Sequence, residues 1–228
     1  FSFNSYFPIG GTASFNRGTC YLMRDMSFDS YLSVVTSGTI VGNFHTVKFA
    51  PRSDTLYFPA SGQGVKFVLA DVDLVFNGPV QLTESIVIKG KCSVSSNGHM
   101  INVNNKTIFV APGASLTVHD ARVRGMGGNE SVVFQDNTGS IRLRNVSLVN
   151  TADFFLYGPL YIEGDVSISG NFKFTYTTDS VSTIGANSRL YFDSGVTFSY
   201  SPPSGANNLI SFADSTSELY LNEVTTHV

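Results

Sequence analysis

The chain has 228 residues, a formal net charge of −3, 42% hydrophobic residues and 14% charged residues. This hydrophobic content excludes a disordered polymer, and the scarcity of Lys and Glu excludes a coiled coil or helical bundle. The nearly balanced, mildly acidic charge provides no positive field for a phosphate backbone, so nucleic-acid binding is not expected as the main activity.

The N-terminal region lacks the features of a signal peptide or a membrane-spanning helix. No apolar run approaches the roughly 18 residues that a transmembrane helix needs. Residues 1–7 have neither a basic start nor an apolar centre, and the chain has no initiator Met. We therefore expect a processed, exported protein, either secreted or at a cell surface. Cys20 and Cys92 could pair in an oxidising compartment, but their spacing leaves both the bonded and the free state open.

Alternation of apolar and polar residues predicts short β-strands along most of the chain. The only segment compatible with a helix is 21–35, and its serines and two final valines argue against one. Turn residues separate the predicted strands, as in Asn97-Gly98 and Tyr157-Gly158-Pro159. In chain order the predicted strands are 65–69, 86–88, 115–118, 140–143, 166–168, 172–174, 189–192 and 218–221.

Two kinds of internal repetition indicate a solenoid. Residues 26–47 align without a gap with residues 80–101, an offset of 54. A second motif, apolar-x-apolar, a short turn and again apolar-x-apolar, runs through the rest of the chain. Its two strands cannot pair as a hairpin and are expected on different walls of a coil. Seven recurring anchor positions are separated by 19 to 30 residues, the length of one solenoid turn: Leu69, Ile88, Val118, Leu143, Ile162, Phe192 and Leu221.

The sequence therefore predicts a single-domain, all-β parallel β-helix over residues 20–228, with coils of about 19–30 residues. Residues 1–19 are predicted to form an N-terminal segment that acts as a cap or an inter-subunit strand. Stacking coils ~4.8 Å apart buries apolar rows that single strands cannot bury alone. The alternative is an antiparallel β-sandwich or jelly roll, which also has many short strands. The ungapped repeat and the rarity of tight hairpin turns favour the solenoid.

Residues 97–123 resemble rungs of right-handed parallel β-helix proteins of the pectate-lyase-like superfamily. They run from Asn97-Gly98-His99 through Ala111-Pro112-Gly113-Ala114-Ser115 to Ala121-Arg122-Val123. The style is similar to that of repetitive surface and adhesin-type proteins of bacteria, and residues 38–45 repeat it. The resemblance implies the fold over about residues 20–228. It leaves the function open between adhesins, filament subunits, lyases and hydrolases.

An enzyme of this fold would cleave polysaccharides with paired carboxylates, or with Ca²⁺-binding acids and an arginine base. The chain lacks the consecutive Asp-Asp of polygalacturonase-like members and the Arg-x-Pro-x-x-Arg pattern of lyases, and no histidines stand at metal-ligand spacing. We therefore predict no enzyme activity, catalytic residue, metal site or cofactor, and keep polysaccharide binding or cleavage as the alternative function. The residues considered for it are Asp71, Asp73, Asp120, Glu163, Asp165, Asp193 and Glu223, with Arg122, Arg124, Arg142 and Arg144.

The two ends of the sequence suggest a structural role. Residues 217–228 still read as an ordinary repeat unit, whereas residues 1–9 are alternating, aromatic and outside the repeat register. We expect a self-assembling surface protein or adhesin whose partner is a second copy, stacked head to tail, with a carbohydrate or host surface as a further possible partner. The alternative interpretation of the two ends is that the 228 residues are a fragment of a longer surface protein. The predicted subunit interface consists of Phe1, Phe3, Tyr6, Phe7, Leu219, Leu221, Val224 and Val228.

Overall fold

The computed structural model describes residues 2–3, 16–28, 37–49, 55–58, 66–127, 131–205 and 209–227. These residues contain 23 β-strands and no helix, and so no helical segment that could span a bilayer. The strands are β1 Ser2–Phe3, β2 Asn16–Leu22, β3 Met26–Phe28, β4 Ser37–Phe49, β5 Leu56–Phe58, β6 Phe67–Phe76, β7 Val80–Leu82, β8 Ile86–Lys89, β9 Lys91–Ser95, β10 Met100–Asn102, β11 Ile108–Val110, β12 Ser115–Arg124, β13 Val132–Phe134, β14 Ser140–Asn150, β15 Phe154–Leu156, β16 Leu160–Gly170, β17 Phe172–Tyr176, β18 Ser182–Ile184, β19 Arg189–Phe192, β20 Val196–Tyr200, β21 Ile210–Phe212, β22 Glu218–Leu221 and β23 Thr225–His227.

The strand pairings are parallel and join successive coils, so the fold is a parallel β-solenoid, not a sandwich or jelly roll. Each coil turns through three walls, which we name A, B and C in the order in which the chain visits them. Wall A contains β1, β2, the first parts of β4 and β6, β8, β11 and β13, and the same place in later coils is taken by β15, β17, β20 and β23. Wall B contains β3, the second parts of β4 and β6, β9, the first halves of β12, β14 and β16, and then β18 and β21. Wall C contains β5, β7, β10, the second halves of β12, β14 and β16, and then β19 and β22.

Along the strands, the apolar side chains at every second position point into the solenoid. Together they form one continuous core. Leu69 illustrates the packing, since it lies between its register partners Ile40 and Ile88 and is completely buried. At the N-terminal end of wall B, Phe28, Phe49 and Phe76 stack with ring centroids 5.6 and 5.2 Å apart. An apolar void of about 80 Å³ remains among the core side chains.

The corners between walls depend on residues that tolerate a left-handed backbone. Asp120 and Asn145 occupy the corner between walls B and C in adjacent coils, with φ of 49° and 53°. The Asn145 side chain donates to Asp120 Oδ1 at 3.1 Å and accepts from the Asp165 N–H at 3.3 Å, linking three coils. Gly164 follows in the next coil at φ +64°, and a Cβ there would collide with Asn145 Oδ1. The corner therefore requires its small and amide-bearing residues.

The motif predicted to place neighbouring strands on different walls is confirmed. Phe67 and Leu69 lie on wall A while Val72 and Leu74 follow on wall B. The same holds for the pairs along β12, β14 and β16, which all turn from wall B to wall C.

Some of the anchor positions lie on different walls, contrary to the expectation that they mark equivalent places. Ile88 pairs with Val110, 22 residues on, and not with Val118. Ile162 pairs with Ile184, not with Phe192. The 54-residue repeat likewise superposes wall B on wall C, because two coils from Met26 lead to Leu74, 48 residues on. All three walls carry the same apolar-x-apolar pattern, so the pattern does not distinguish them.

The described part of segment 21–35, residues 21–28, contains strands and no helix, so the weak helical interpretation is wrong there, and residues 29–35 lie outside the described residues. Residues 21–22 end β2 and residues 26–28 form β3. Along β3 the buried side chains of Met26 and Phe28 alternate with the half-buried Ser27, as expected for a strand with one face on the core. β2 begins at Asn16, and the proposed boundary at residue 19 stays a prediction.

Wall A has one interruption in its ladder of backbone hydrogen bonds. No pairing joins β13 to β15 in the part of the chain that the structure describes, so β15, β17, β20 and β23 form a separate four-stranded sheet. At this level only walls B and C connect the coils, through the long pairing of β14 with β16.

Candidate functional site

The last coil leaves core positions uncovered. Phe212 lies over Ile184 and Leu221 over Phe192, and these two partners are fully buried. Phe212 and Leu221 are nevertheless each 49% exposed. Because their register partners belong to the core, both side chains occupy core columns that no further coil closes within the described residues.

The backbone of the last coil is equally open. Strands β21, β22 and β23 each pair on one side only in the described parts of the chain, with β18, β19 and β20 respectively. Their other edges present N–H and C=O groups without a neighbouring strand. An exposed sheet edge of this kind is a template for pairing with another chain. We name this surface, formed by β21, β22 and β23 with Phe212 and Leu221, the open rung.

Three of the predicted interface residues fall on or next to the open rung. Leu219 and Val224 are half-buried, and Leu221 is the more exposed of the two leucines in β22. At the other end, Phe3 pairs through its backbone with Leu22 of its own chain. Phe1, Tyr6, Phe7 and Val228 lie outside the described residues, so the interface as a whole stays a prediction. The periodicity of the sequence did not single out Phe212, although an apolar-Ser-Phe strand was visible there.

The N-terminal end differs from the open rung. The inward side chains of the first described coil, Cys20, Leu22, Met26 and Phe28, are buried. Strand β1 pairs in parallel with residues 21–22 and is the outermost described strand of wall A at this end. Among the described residues, the inward side chains of the first coil are therefore buried, whereas Phe212 and Leu221 of the last coil are about half exposed.

Two side-chain ladders reach the open rung along the outside of wall C. Tyr191 and Tyr220 stack with centroids 4.7 Å apart and planes inclined by 11°. Arg189 donates to Glu218 at 2.8 Å and lies 3.6 Å from Asp165. The Tyr220 hydroxyl donates to Glu218 at 2.8 Å, and together with Arg189 it lowers the pKa of that carboxyl. Because the two rings stack along the solenoid axis, each covers one face of the other and presents only an edge sideways.

Two other tyrosines, Tyr161 and Tyr157, do not extend this stack. Tyr161 is on wall B, where its register partner is Thr183. Tyr157 is an exposed corner residue that stacks beside Phe155 at 6.4 Å. The ladder along wall C therefore contains Tyr191 and Tyr220 but neither of these residues.

The carboxylates considered for polysaccharide cleavage are, with one exception, engaged with neighbouring coils. Among these contacts the one to Asp71 satisfies a backbone N–H, and the others join two side chains. His119 and the Asn145 amide lower the pKa of Asp120. The contacts are Asp71 with the Lys91 N–H, Asp73 with Ser93, Asp120 with His119 and Asn145, Glu163 with Arg142, Asp165 with Arg189, and Asp193 with Asn222.

The four arginines lie on the outer faces of walls B and C. Arg142 pairs with Glu163, and its guanidinium lies 5.4 Å from the Tyr161 ring centroid. Arg122, Arg124 and Arg144 are exposed. None of these three forms an ion pair with another described residue.

Histidine and cysteine side chains form no cluster suited to a metal in the described ranges. His45 lies 3.4 Å from Asp25, and His119 contacts Asp120 at 2.9 Å. Cys20 and Cys92 are free and buried, in different walls and coils, and burial raises the pKa of both thiols. The bonded alternative for these cysteines is therefore wrong for this fold.

Comparison of the chain with models of protein families, with curated proteins and with solved structures finds no match. The parallel β-solenoid architecture thus rests on the structure itself, and the function must be argued from the geometry of the open rung and the outer faces.

Proposed function

We propose that this protein is a structural, exported β-solenoid that assembles head to tail into filaments. It would be of the kind found among repetitive surface and adhesin-type proteins of the parallel β-helix class. The open rung carries this proposal, because it combines half-exposed core side chains with three strand edges that have no partner among the described residues.

The proposed occupant of the open rung is the N-terminal end of a second copy. Both ends have their strands in the same parallel sense, and the outermost described strands of wall A are β23 at one end and β1 at the other. A second copy stacked in the same direction would therefore continue wall A with parallel pairing. Such a contact joins two different surfaces and does not close, so it propagates into a filament.

Burial of the open rung favours this association. Phe212 and Leu221 are about half exposed, and complete burial of a Phe or Leu side chain is worth about 1.5–3 kcal/mol. New pairing of the three strand edges adds backbone hydrogen bonds of about 1 kcal/mol each. The apolar contact supplies the affinity, and the strand register fixes the orientation.

The proposal is tested by substituting the two exposed core residues in one chain, Phe212→Gln with Leu221→Gln. We expect wild-type protein to form filaments that lengthen with concentration in negative-stain electron microscopy. The double variant should remain as short rods, because each buried amide would lack hydrogen-bond partners.

Phe44→Gln is the matched control, because Phe44 is 71% exposed at a corner between walls A and B, away from the open rung. Filaments of unchanged length in the double variant would contradict the proposal. A chain lacking residues 1–9 tests the occupant separately, since its continued polymerisation would exclude the N-terminal segment as the strand donor.

A further inference from the structure

The charges of this protein are segregated along the solenoid axis. Residues 86–149 contain seven Lys or Arg and three Asp or Glu, whereas residues 150–228 contain two Lys or Arg and eight Asp or Glu. Since each coil advances the chain by ~4.8 Å, these ranges form a basic belt of middle coils and an acidic region beyond it.

The segregation extends along one edge of the rod, the corner between walls B and C, where Arg122, Arg124 and Arg144 outnumber Asp120 in the basic half. Arg144 ends the wall B part of β14, and its register partner in the next coil is Glu163. Arg122 and Arg124 lie one coil below Arg144 on wall C, in register with Ser147 and Val149. All three arginines are exposed and have no ion pair among the residues described.

The acidic half of the same edge lies in the following coils. Asp165 and Glu218 flank Arg189 in successive positions of wall C, so this group of three keeps a net negative charge. Glu163 contacts Arg142 and is half-buried. The net charge of the side chains along this edge therefore changes from positive to negative between the coil of β14 and the coil of β16.

We propose that two copies of this protein pair side by side, in opposite directions, along the corner between walls B and C. A two-fold axis between the coils of β14 and β16 places the basic half of each edge against the acidic half of the other. At the centre, Arg144 of each copy faces Glu163 of the other copy. This lateral contact uses a different surface from the open rung and does not depend on filament formation.

The charge pattern favours a second copy as the occupant. An edge that carries both signs in adjacent halves is complementary to itself only when one copy is inverted. A uniform polyanion would meet Arg122, Arg124 and Arg144 favourably but would be repelled by Asp165 and Glu218 a few coils away. Near physiological salt, dissolved ions screen the attraction between exposed charges that lie more than ~8–10 Å apart. The pairing should therefore be strongest at low ionic strength.

A charge-swap experiment tests the geometry. All proteins carry Phe212→Gln and Leu221→Gln, so that end-to-end stacking does not contribute, and dimerisation is measured by analytical ultracentrifugation. We expect association at 20 mM NaCl to be at least tenfold tighter than at 300 mM. Arg144→Glu alone and Glu163→Lys alone should each weaken it at least tenfold. An equimolar mixture of the two single variants should regain the affinity, because the carboxylate introduced in one copy then faces the ammonium introduced in the other across the two-fold axis.

Lys173→Glu is the matched control, since Lys173 is an exposed cation on β17, away from this edge. Circular dichroism and thermal unfolding confirm that each variant is folded. Absence of dimers at low salt in the parent protein would overturn the proposal, as would failure of the mixture to recover. Binding to heparin without self-association would also overturn it and would assign the arginines to a polyanion. Failure of filament formation in otherwise wild-type protein would leave this test unaffected.

Discussion

The first and last coils contain nearly the same strand in wall B, yet its side chains have opposite surroundings. β3 reads Met26-Ser27-Phe28 and β21 reads Ile210-Ser211-Phe212. Phe28 is 4% exposed and stacks on Phe49, whereas Phe212 is 49% exposed. Both strands pair with one described strand only, β3 with β4 and β21 with β18, so strand pairing alone does not explain why the two phenylalanines differ in burial. The difference in exposure distinguishes the first described coil from the last one.

Truncating a core leucine in a middle coil and in the last coil should give the largest contrast. Leu69→Ala removes a side chain enclosed by Ile40 and Ile88 and should lower the free energy of unfolding by about 2–5 kcal/mol. Leu221→Ala, which has a core neighbour on one side only, should cost the monomer less than about 1 kcal/mol. Equilibrium unfolding in urea measures both values. Equal losses would show that the last coil is enclosed in solution.

Alkaline pH should destabilise the interior of the later coils through Tyr176. Its hydroxyl donates to the Ser180 carbonyl at 2.7 Å and contacts Ser182, and burial raises its pKa to about 12. Because the folded state holds this proton more tightly, the stabilisation is complete below pH 10 and is lost as pH rises from 10 to about 12. The total is roughly 2–3 kcal/mol.

The measurement for Tyr176 is urea unfolding at pH 9 to 12. Tyr176→Phe should weaken the decline in stability over that range, whereas Tyr57→Phe, at an exposed position of β5, should leave it unchanged. An identical decline in all three proteins would assign the alkaline effect to other groups.

The corner ladders should give the smallest contrast. Asn145→Ala loses the bonds to Asp120 and to the Asp165 N–H and places alanine at φ 53°, for an expected cost of about 1–2 kcal/mol. Asn222→Ala removes only an exposed contact of 3.4 Å to Asp193, with an expected cost below about 0.5 kcal/mol. Thermal unfolding compares the two. A larger loss for Asn222 would mean that the last coil is more constrained than its exposure indicates.

The sequence predicted the solenoid and the turn from one wall to the next but not the identity of each wall. Alternation marks which residues point inward, and all three walls alternate in the same way, so Ile88 and Val118 looked equivalent although they lie on walls A and B. Only the pairing of backbones across coils distinguishes the walls. The arginine and acid edge was missed for the same reason, since Arg144 and Glu163 become neighbours only through the register of β14 with β16.

The interruption between β13 and β15 has a mechanical consequence. A rod fastened by three hydrogen-bonded walls resists bending equally well in all directions, but at this level wall A contributes no backbone bonds between its described strands. A bend that moves β13 away from β15 separates side chains on wall A but breaks no described backbone hydrogen bond there. A bend that separates the coils on walls B and C must stretch the hydrogen bonds between β14 and β16. The rod should therefore be most compliant at this point and in this one direction. When the rod is bent with wall A on the outside, the coils should separate first between β13 and β15.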